Sequence, residues 1–167
     1  MNIKDKFEIE ELDSKKREPY YVLRYEMDSN DGDYIRESAS YYKKEWDELP
    51  DFFFLMLAYL SQGYSGKFSH GEKWGDYYGH HWARNKHGLS EEIGAFQEYY
   101  GIECFSDYGA CHSYSDFTLE YYDEDNRLHS VIMPSVDDLF ETEEEMIKAI
   151  KDAYEDFIKQ SEEEAED

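Results

Sequence analysis

Residues 113–134 read SYSDFTLEYYDEDNRLHSVIMP, and this stretch decides the fold class. Aromatic and apolar side chains recur at strand spacing, the segment DEDN (123–126) has turn chemistry, and the strand pattern then resumes. We therefore predict a β-hairpin here. The residues that carry the pattern are Tyr114, Phe117, Leu119 and Tyr121 before the turn, and Leu128, Val131 and Met133 after it.

A second hairpin is predicted near the N-terminus. In EPYYVLRYEM (18–27), Tyr21, Leu23 and Tyr25 alternate with other residues, which is typical of a strand with one buried face. The segment SNDGD (29–33) favours a tight turn, and YIRESASYY after it can pair back onto the first strand.

Three helices are predicted. The apolar run after Pro50 predicts a buried helix over residues 51–62, although a central strand is an alternative for so short a run. Ser90 begins SEEIGAFQEYY, where a cap precedes two glutamates and Ile93 and Phe96 face the core. Thr142 and Glu145 form a capping-box pattern that opens a C-terminal helix. Its apolar stripe is Met146, Ile147, Ile150, Tyr154, Phe157 and Ile158.

The segment 63–88 is rich in glycine and aromatic residues, and it predicts a long loop without regular structure. Its aromatic side chains, Trp74, Tyr77 and Tyr78 among them, can form a binding surface, because such residues supply contact area at low entropic cost. They can equally fold inward as a small satellite core.

These elements predict a single α+β domain over residues 1–160, in which antiparallel β-hairpins pack with about three helices. Residues 161–167, SEEEAED, are expected to form a frayed acidic tail. A chain of 167 residues is close to the usual size of one domain.

The composition joins strong acidity to a high aromatic content. The chain has 41 Asp and Glu against 17 Lys and Arg, a net charge of -24, with 17 Tyr, 10 Phe and 3 Trp. Acidic disordered chains have few aromatic residues, so this chain is expected to fold and to carry a strongly negative surface. Such a surface attracts cationic partners, above all proteins that hold nucleic acid.

The sequence also indicates in which cellular compartment the protein is expected. The N-terminal residues have no long apolar stretch of the kind that a signal peptide needs, and the longest apolar run, 52–60, is too short to span a membrane. Cys104 and Cys111 are the only cysteines, which favours reduced thiols over a disulfide framework. We expect a cytoplasmic protein, in the host cytoplasm if a phage encodes it, with no membrane partner.

The negative charge is concentrated toward the C-terminus. From Glu120 onward there are 18 acids and 4 bases, whereas residues 1–119 hold 23 acids and 13 bases. A net charge of about 2 to 8 in magnitude keeps a small domain soluble, so the excess points to binding. The residues predicted to contact a partner are Asp123, Glu124, Asp125, Glu145, Asp152, Glu155, Asp156, Trp74, Tyr77 and Tyr78.

In its acidity, small size, aromatic core and Glu-rich tail, the chain resembles the phage and mobile-element proteins that mimic DNA, such as anti-restriction and anti-CRISPR inhibitors. The resemblance covers the composition of the whole chain and includes no diagnostic motif. It implies an inhibitor that occupies the cationic nucleic-acid site of a nuclease or effector without binding nucleic acid itself. The acidic immunity proteins of nuclease toxins are similar on the same grounds, so an immunity or adaptor protein without mimicry is the alternative.

A small metal- or cysteine-dependent enzyme is the third interpretation. The residues His80, His81, Cys104, Cys111 and His112 are of zinc-ligand type, but their spacing is not that of a zinc knuckle. The sequence has no Walker loop, nucleophile elbow or dinucleotide fingerprint. We therefore expect a protein that is not an enzyme and has neither metal nor cofactor.

Overall fold

The computed structural model describes residues 3–7, 18–29, 34–61, 67–68, 71–73, 80–82, 87–102 and 113–166. Its strands are β1 (Tyr20–Ser29), β2 (Tyr34–Tyr42), β3 (Gly71–Lys73), β4 (His80–Trp82), β5 (Ser113–Tyr122) and β6 (Leu128–Val131). Its helices are a 3-10 helix (Ile3–Lys6), α1 (Lys43–Asp47), α2 (Asp51–Leu60), α3 (Ser90–Tyr100), α4 (Val136–Leu139) and α5 (Glu143–Glu166).

Both predicted hairpins are present, and together they form one antiparallel sheet. The strand order is β2-β1-β5-β6, so the two hairpins join along β1 and β5. The register of that central pair runs from Tyr20 opposite Tyr122 to Ser29 opposite Ser113. The α+β class is therefore confirmed, with helices added to a four-stranded sheet.

The inner face of the sheet carries the aromatic residues that the alternation predicted. Tyr21, Leu23 and Tyr25 of β1 are buried, as are Phe117, Leu119 and Tyr121 of β5. Because successive strand residues point to opposite faces, the even-numbered residues of these strands form an outer face. The buried residues of the inner face and those of the helices form one hydrophobic core.

Trp46 of α1 connects the sheet to the buried helix α2. Its indole stacks on Tyr21 with ring centroids 4.4 Å apart, and it contacts Phe53 at 5.6 Å and Phe54 at 5.1 Å. The predicted helix is confirmed as α2, and every residue from Phe52 to Leu60 is buried, which explains why its sequence is apolar all round. α2 ends at Leu60, two residues before the predicted limit.

Helix α3 begins at Ser90 and ends at Tyr100, immediately before Gly101. Gly101 has a φ of 69°, the left-handed conformation that commonly terminates a helix. Ile93 and Phe96 are buried, as predicted. The N-cap position is held by Leu89 rather than by Ser90, so the helix starts one residue earlier than a serine cap implies.

Helix α5 packs on α2 and α3 through one stripe. Met146, Ile150 and Phe157 are buried, and Phe157 stacks on Phe52 with centroids 4.9 Å apart. The backbone N–H of Glu145 donates to the Thr142 hydroxyl at 3.2 Å, which confirms Thr142 as the cap. The structure differs from the prediction of a frayed tail, because α5 continues through residues 161–166; glutamate and alanine are good helix formers.

Several short elements were not predicted. Within the segment read as an irregular loop, β3 and β4 pair as a two-stranded antiparallel sheet, with Gly71 opposite Trp82 and Lys73 opposite His80. Each of these strands has only three residues, so the pairing of β3 with β4 is possible in a segment rich in glycine. The one-turn helices α1 and α4 were also missed, because five and four residues are too few to show a helical period.

Candidate acidic interface

The candidate interface lies on the exposed side of α5. The helix holds ten acidic residues and three lysines, and it extends for about 36 Å. Because Met146, Ile150 and Phe157 face the core, the charged residues between them face outward. Glu145, Asp152, Glu155 and Asp156, four of the predicted contacts, are all exposed.

A groove runs between the start of α2 and the middle of α5. Its volume is about 440 Å³, and its lining includes the apolar residues Leu55, Ala153 and Phe157. The carboxylates that line it are Asp51, Asp152 and Asp156. We call this the α5 groove. Asp51 was not among the predicted contacts, since only the packing of α2 against α5 brings it beside Asp152.

Lysines partly neutralise this surface. The Lys148 ammonium lies 2.6 Å from an Asp152 oxygen, but both side chains are more than half exposed, so the pair contributes little to stability. Hydrogen bonding to Asp152 raises the pKa of Lys148. Lys151 points elsewhere and donates to Gly88 and Glu92. Glu155 and Asp156 have no ion-pair partner within the ranges that the structure describes.

Carboxylates of α3 act on Tyr154 of α5 across the interface between the two helices. The Tyr154 hydroxyl donates to Glu91 at 3.2 Å. Burial is the largest cause of its raised pKa, and the charges of Glu91 and Glu92 add to it. The phenol therefore stays neutral at physiological pH and contributes no charge of its own to the surface.

The structure places Asp123 differently from its predicted role as a partner contact. The residue is only 5% exposed. One carboxylate oxygen accepts from the backbone N–H groups of Asp125 and Arg127 at 2.8 and 2.9 Å, and the other lies 2.8 Å from His129 Nε2. Asp123 therefore holds the β5–β6 turn. Glu124 and Asp125 beside it are half-buried.

The Asp123 carboxylate predicts how the stability of the folded protein depends on pH. The hydrogen bond from His129, followed by the Arg127 backbone N–H, lowers its pKa. The ionised carboxylate therefore stabilises the folded protein fully above about pH 4, the ordinary pKa of an aspartate. This stabilisation is lost as the pH falls through the lowered pKa of Asp123 in the folded protein. We expect Asp123→Asn to be less stable than the wild type at pH 7, by a difference that shrinks as the pH falls below about 4.

Urea unfolding of both proteins at each pH measures this difference and cancels the titration of the other carboxylates. Asparagine keeps an oxygen that can accept from the backbone of the turn, so the change removes mainly the charge. A difference in unfolding free energy that stays constant from pH 7 to pH 2 would show that the ionised carboxylate is not what holds the turn.

Several predicted residues lie outside the described part of the chain. Trp74, Tyr77 and Tyr78 are among them, as are Cys104, Cys111 and His112. For His80 and His81 the structure gives the backbone of β4 only. Among the described residues, no group of three His, Cys, Asp or Glu side chains could hold a metal ion.

His87 is the histidine of the predicted loop whose side chain the structure describes, and it is buried. Its Nδ1 lies 2.7 Å from the Tyr59 hydroxyl, and its Nε2 lies 3.6 Å from a carboxylate oxygen of Glu143. Tyr59 is also fully buried. These contacts place His87 between α2 and the start of α5, with the Tyr59 contact buried and the Glu143 side chain half exposed.

Comparisons with protein-family models, curated proteins and solved structures find no match to this chain. No helix in the described ranges has both the length and the apolar character that crossing a membrane requires. The function is therefore argued from the surface of the protein itself.

Proposed function

We propose that this protein inhibits a nuclease or a CRISPR or restriction effector by occupying its cationic nucleic-acid site. The observation that carries the proposal is the outward face of α5, where carboxylates recur along a rigid helix beside a groove with an apolar floor. A net charge of -24 supplies the long-range attraction. Packing on α2 and α3 supplies the rigidity.

The spacing of the carboxylates fits a row of phosphates. Asp152 and Asp156 are four residues apart on α5, which is about 6 Å along the helix axis. One DNA strand advances about 3.4 Å per phosphate, so this interval is close to two phosphate steps. Lysine and arginine side chains that bind DNA can therefore meet the α5 carboxylates at similar intervals.

The α5 groove can make apolar contacts with a cationic side chain, which the phosphates of DNA cannot make. Long cationic side chains lay their aliphatic stems on apolar surface and keep the charged group in water. In the groove the stem would lie on Leu55 and Phe157, with the charge near Asp51 and Asp156. This arrangement favours a basic protein over a simple cation as the ligand.

The proposal is tested by capturing partners from a bacterial lysate on the immobilised protein and washing with rising salt. We expect basic nucleic-acid-binding proteins to be retained at low salt and released at high salt, because screening weakens exposed charge pairs. The captured protein must also lose its nucleic acid when it binds. A partner that keeps its nucleic acid would support the immunity or adaptor alternative, and recovery of no basic protein would contradict the proposal.

A further inference from the structure

The outer face of the sheet contains a row of tyrosines that the proposed function does not use. In register across three strands lie Tyr42 of β2, Tyr20 of β1 and Tyr122 of β5, with Leu128 of β6 next to Tyr122. Tyr42 and Leu128 are each 53% exposed, so the row includes large side chains that a partner can reach.

Two side chains of this row, Tyr20 and Tyr122, are held in position by contacts with their neighbours. The rings of Tyr20 and Tyr122 stack with centroids 4.9 Å apart and planes 8° from parallel. The Tyr20 hydroxyl donates to the Asn126 side chain at 3.3 Å. Because β1 lies between β5 and β2, Tyr122 covers the β5 side of the Tyr20 ring and leaves its other side toward β2.

On that side there is a hollow of about 310 Å³, lined by Tyr20, Ser40, Tyr41, Tyr42 and Glu45. The Glu45 carboxylate accepts from the backbone N–H of Tyr42 at 2.9 Å through one oxygen. Its other oxygen has no hydrogen-bond partner among the described residues. A carboxylate is thus held in place beside tyrosine rings, and little side-chain entropy remains to be lost on binding.

We infer that this tyrosine hollow binds the guanidinium group of an arginine side chain presented by a partner protein. A planar cation gains from stacking on tyrosine and from a charge-assisted hydrogen bond to the free oxygen of Glu45. Arginine fits better than lysine, because its guanidinium is flat and less strongly hydrated. The base of a nucleotide is also flat, but the phosphate of that nucleotide would be repelled by a protein with a charge of -24.

The tyrosine hollow and the α5 groove are separate sites. The hollow lies on the outer sheet face beside α1, whereas the groove lies between α2 and α5. Arginine binding in the hollow therefore does not depend on whether α5 competes with DNA, and each claim can fail alone. If both hold, one basic partner would contact two parts of this surface.

The test is a two-dimensional NMR titration with N-acetyl-arginine amide and, separately, N-acetyl-lysine amide at constant ionic strength. We expect saturable shifts at the backbone amides of Tyr20, Tyr42 and Glu45, with an affinity at least threefold higher for the arginine compound. Tyr42→Ala should weaken arginine binding about fivefold, while Tyr42→Phe, which keeps the ring, should preserve it. Glu45→Gln should weaken arginine binding because it removes the negative charge, although the glutamine side-chain oxygen can still accept from the backbone N–H of Tyr42.

Tyr99→Ala is the matched control, because Tyr99 is 59% exposed and lies on α3. It should leave the arginine affinity unchanged, as should the double variant Glu155→Lys/Asp156→Lys. Equal shifts with both compounds, or arginine binding that survives Tyr42→Ala, would overturn the inference. Shifts in the hollow with GMP but none with the arginine compound would overturn it in favour of a nucleobase site.

Discussion

Replacing Trp46 by alanine is expected to lower the free energy of unfolding by about 3–5 kcal/mol, the usual range for removing a buried aromatic side chain. Trp46 is 1% exposed. It contacts the sheet through Tyr21 and the buried helix through Phe53 and Phe54. The loss would therefore separate two layers as well as leave a cavity, and it is a large fraction of the stability of an ordinary domain.

Urea unfolding followed by far-ultraviolet circular dichroism measures this change. Tyr99→Ala is the control, since it removes an aromatic side chain that is mostly exposed, and we expect it to cost less than half as much. Trp46→Phe should fall between the two, because a smaller ring keeps part of the contact. A loss below about 1 kcal/mol for Trp46→Ala would contradict a connecting role for Trp46 in the core.

The second large effect is expected at the proposed interface. The double variant Glu155→Lys/Asp156→Lys reverses two exposed charges that the described structure leaves unpaired. We expect at least tenfold weaker binding to the basic partner, because each cation would face the cations of the partner's nucleic-acid site. Association should slow more than dissociation speeds up, since the α5 charges steer the encounter.

Its matched control is Glu18→Lys/Glu98→Lys, which makes the same change in net charge at exposed positions before β1 and on α3. Surface plasmon resonance at two salt concentrations gives both rate constants. If net charge alone governs binding, the two double variants will weaken it equally. That result would contradict a specific role for the α5 face.

The sequence predicted the local elements well, because each has its own pattern. The alternation up to Tyr121 and the cap at Thr142 depend on neighbours along the chain, and both are confirmed. The pairing of β1 with β5 joins residues that are 84 to 102 positions apart in the sequence. No local pattern specifies that contact, since either strand could have been an edge.

The candidate site was predictable only in part. The amphipathic period of α5 indicated that Glu155 and Asp156 would be exposed, and they are. Asp123 looked the same in sequence, but its carboxylate is used by the turn that it begins. The α5 groove and the tyrosine hollow each depend on residues that come together only by packing or strand register. Asp51 and Glu45 therefore gave no signal in the sequence.

The central claim is that the acidic face displaces nucleic acid from a cationic site. The most direct measurement is fluorescence anisotropy of a labelled DNA duplex bound to the captured partner, titrated with this protein. We predict displacement that is complete at a stoichiometric ratio, weakens as salt rises, and is lost in Glu155→Lys/Asp156→Lys. A ternary complex, in which the partner binds this protein while its DNA stays bound, would contradict the account.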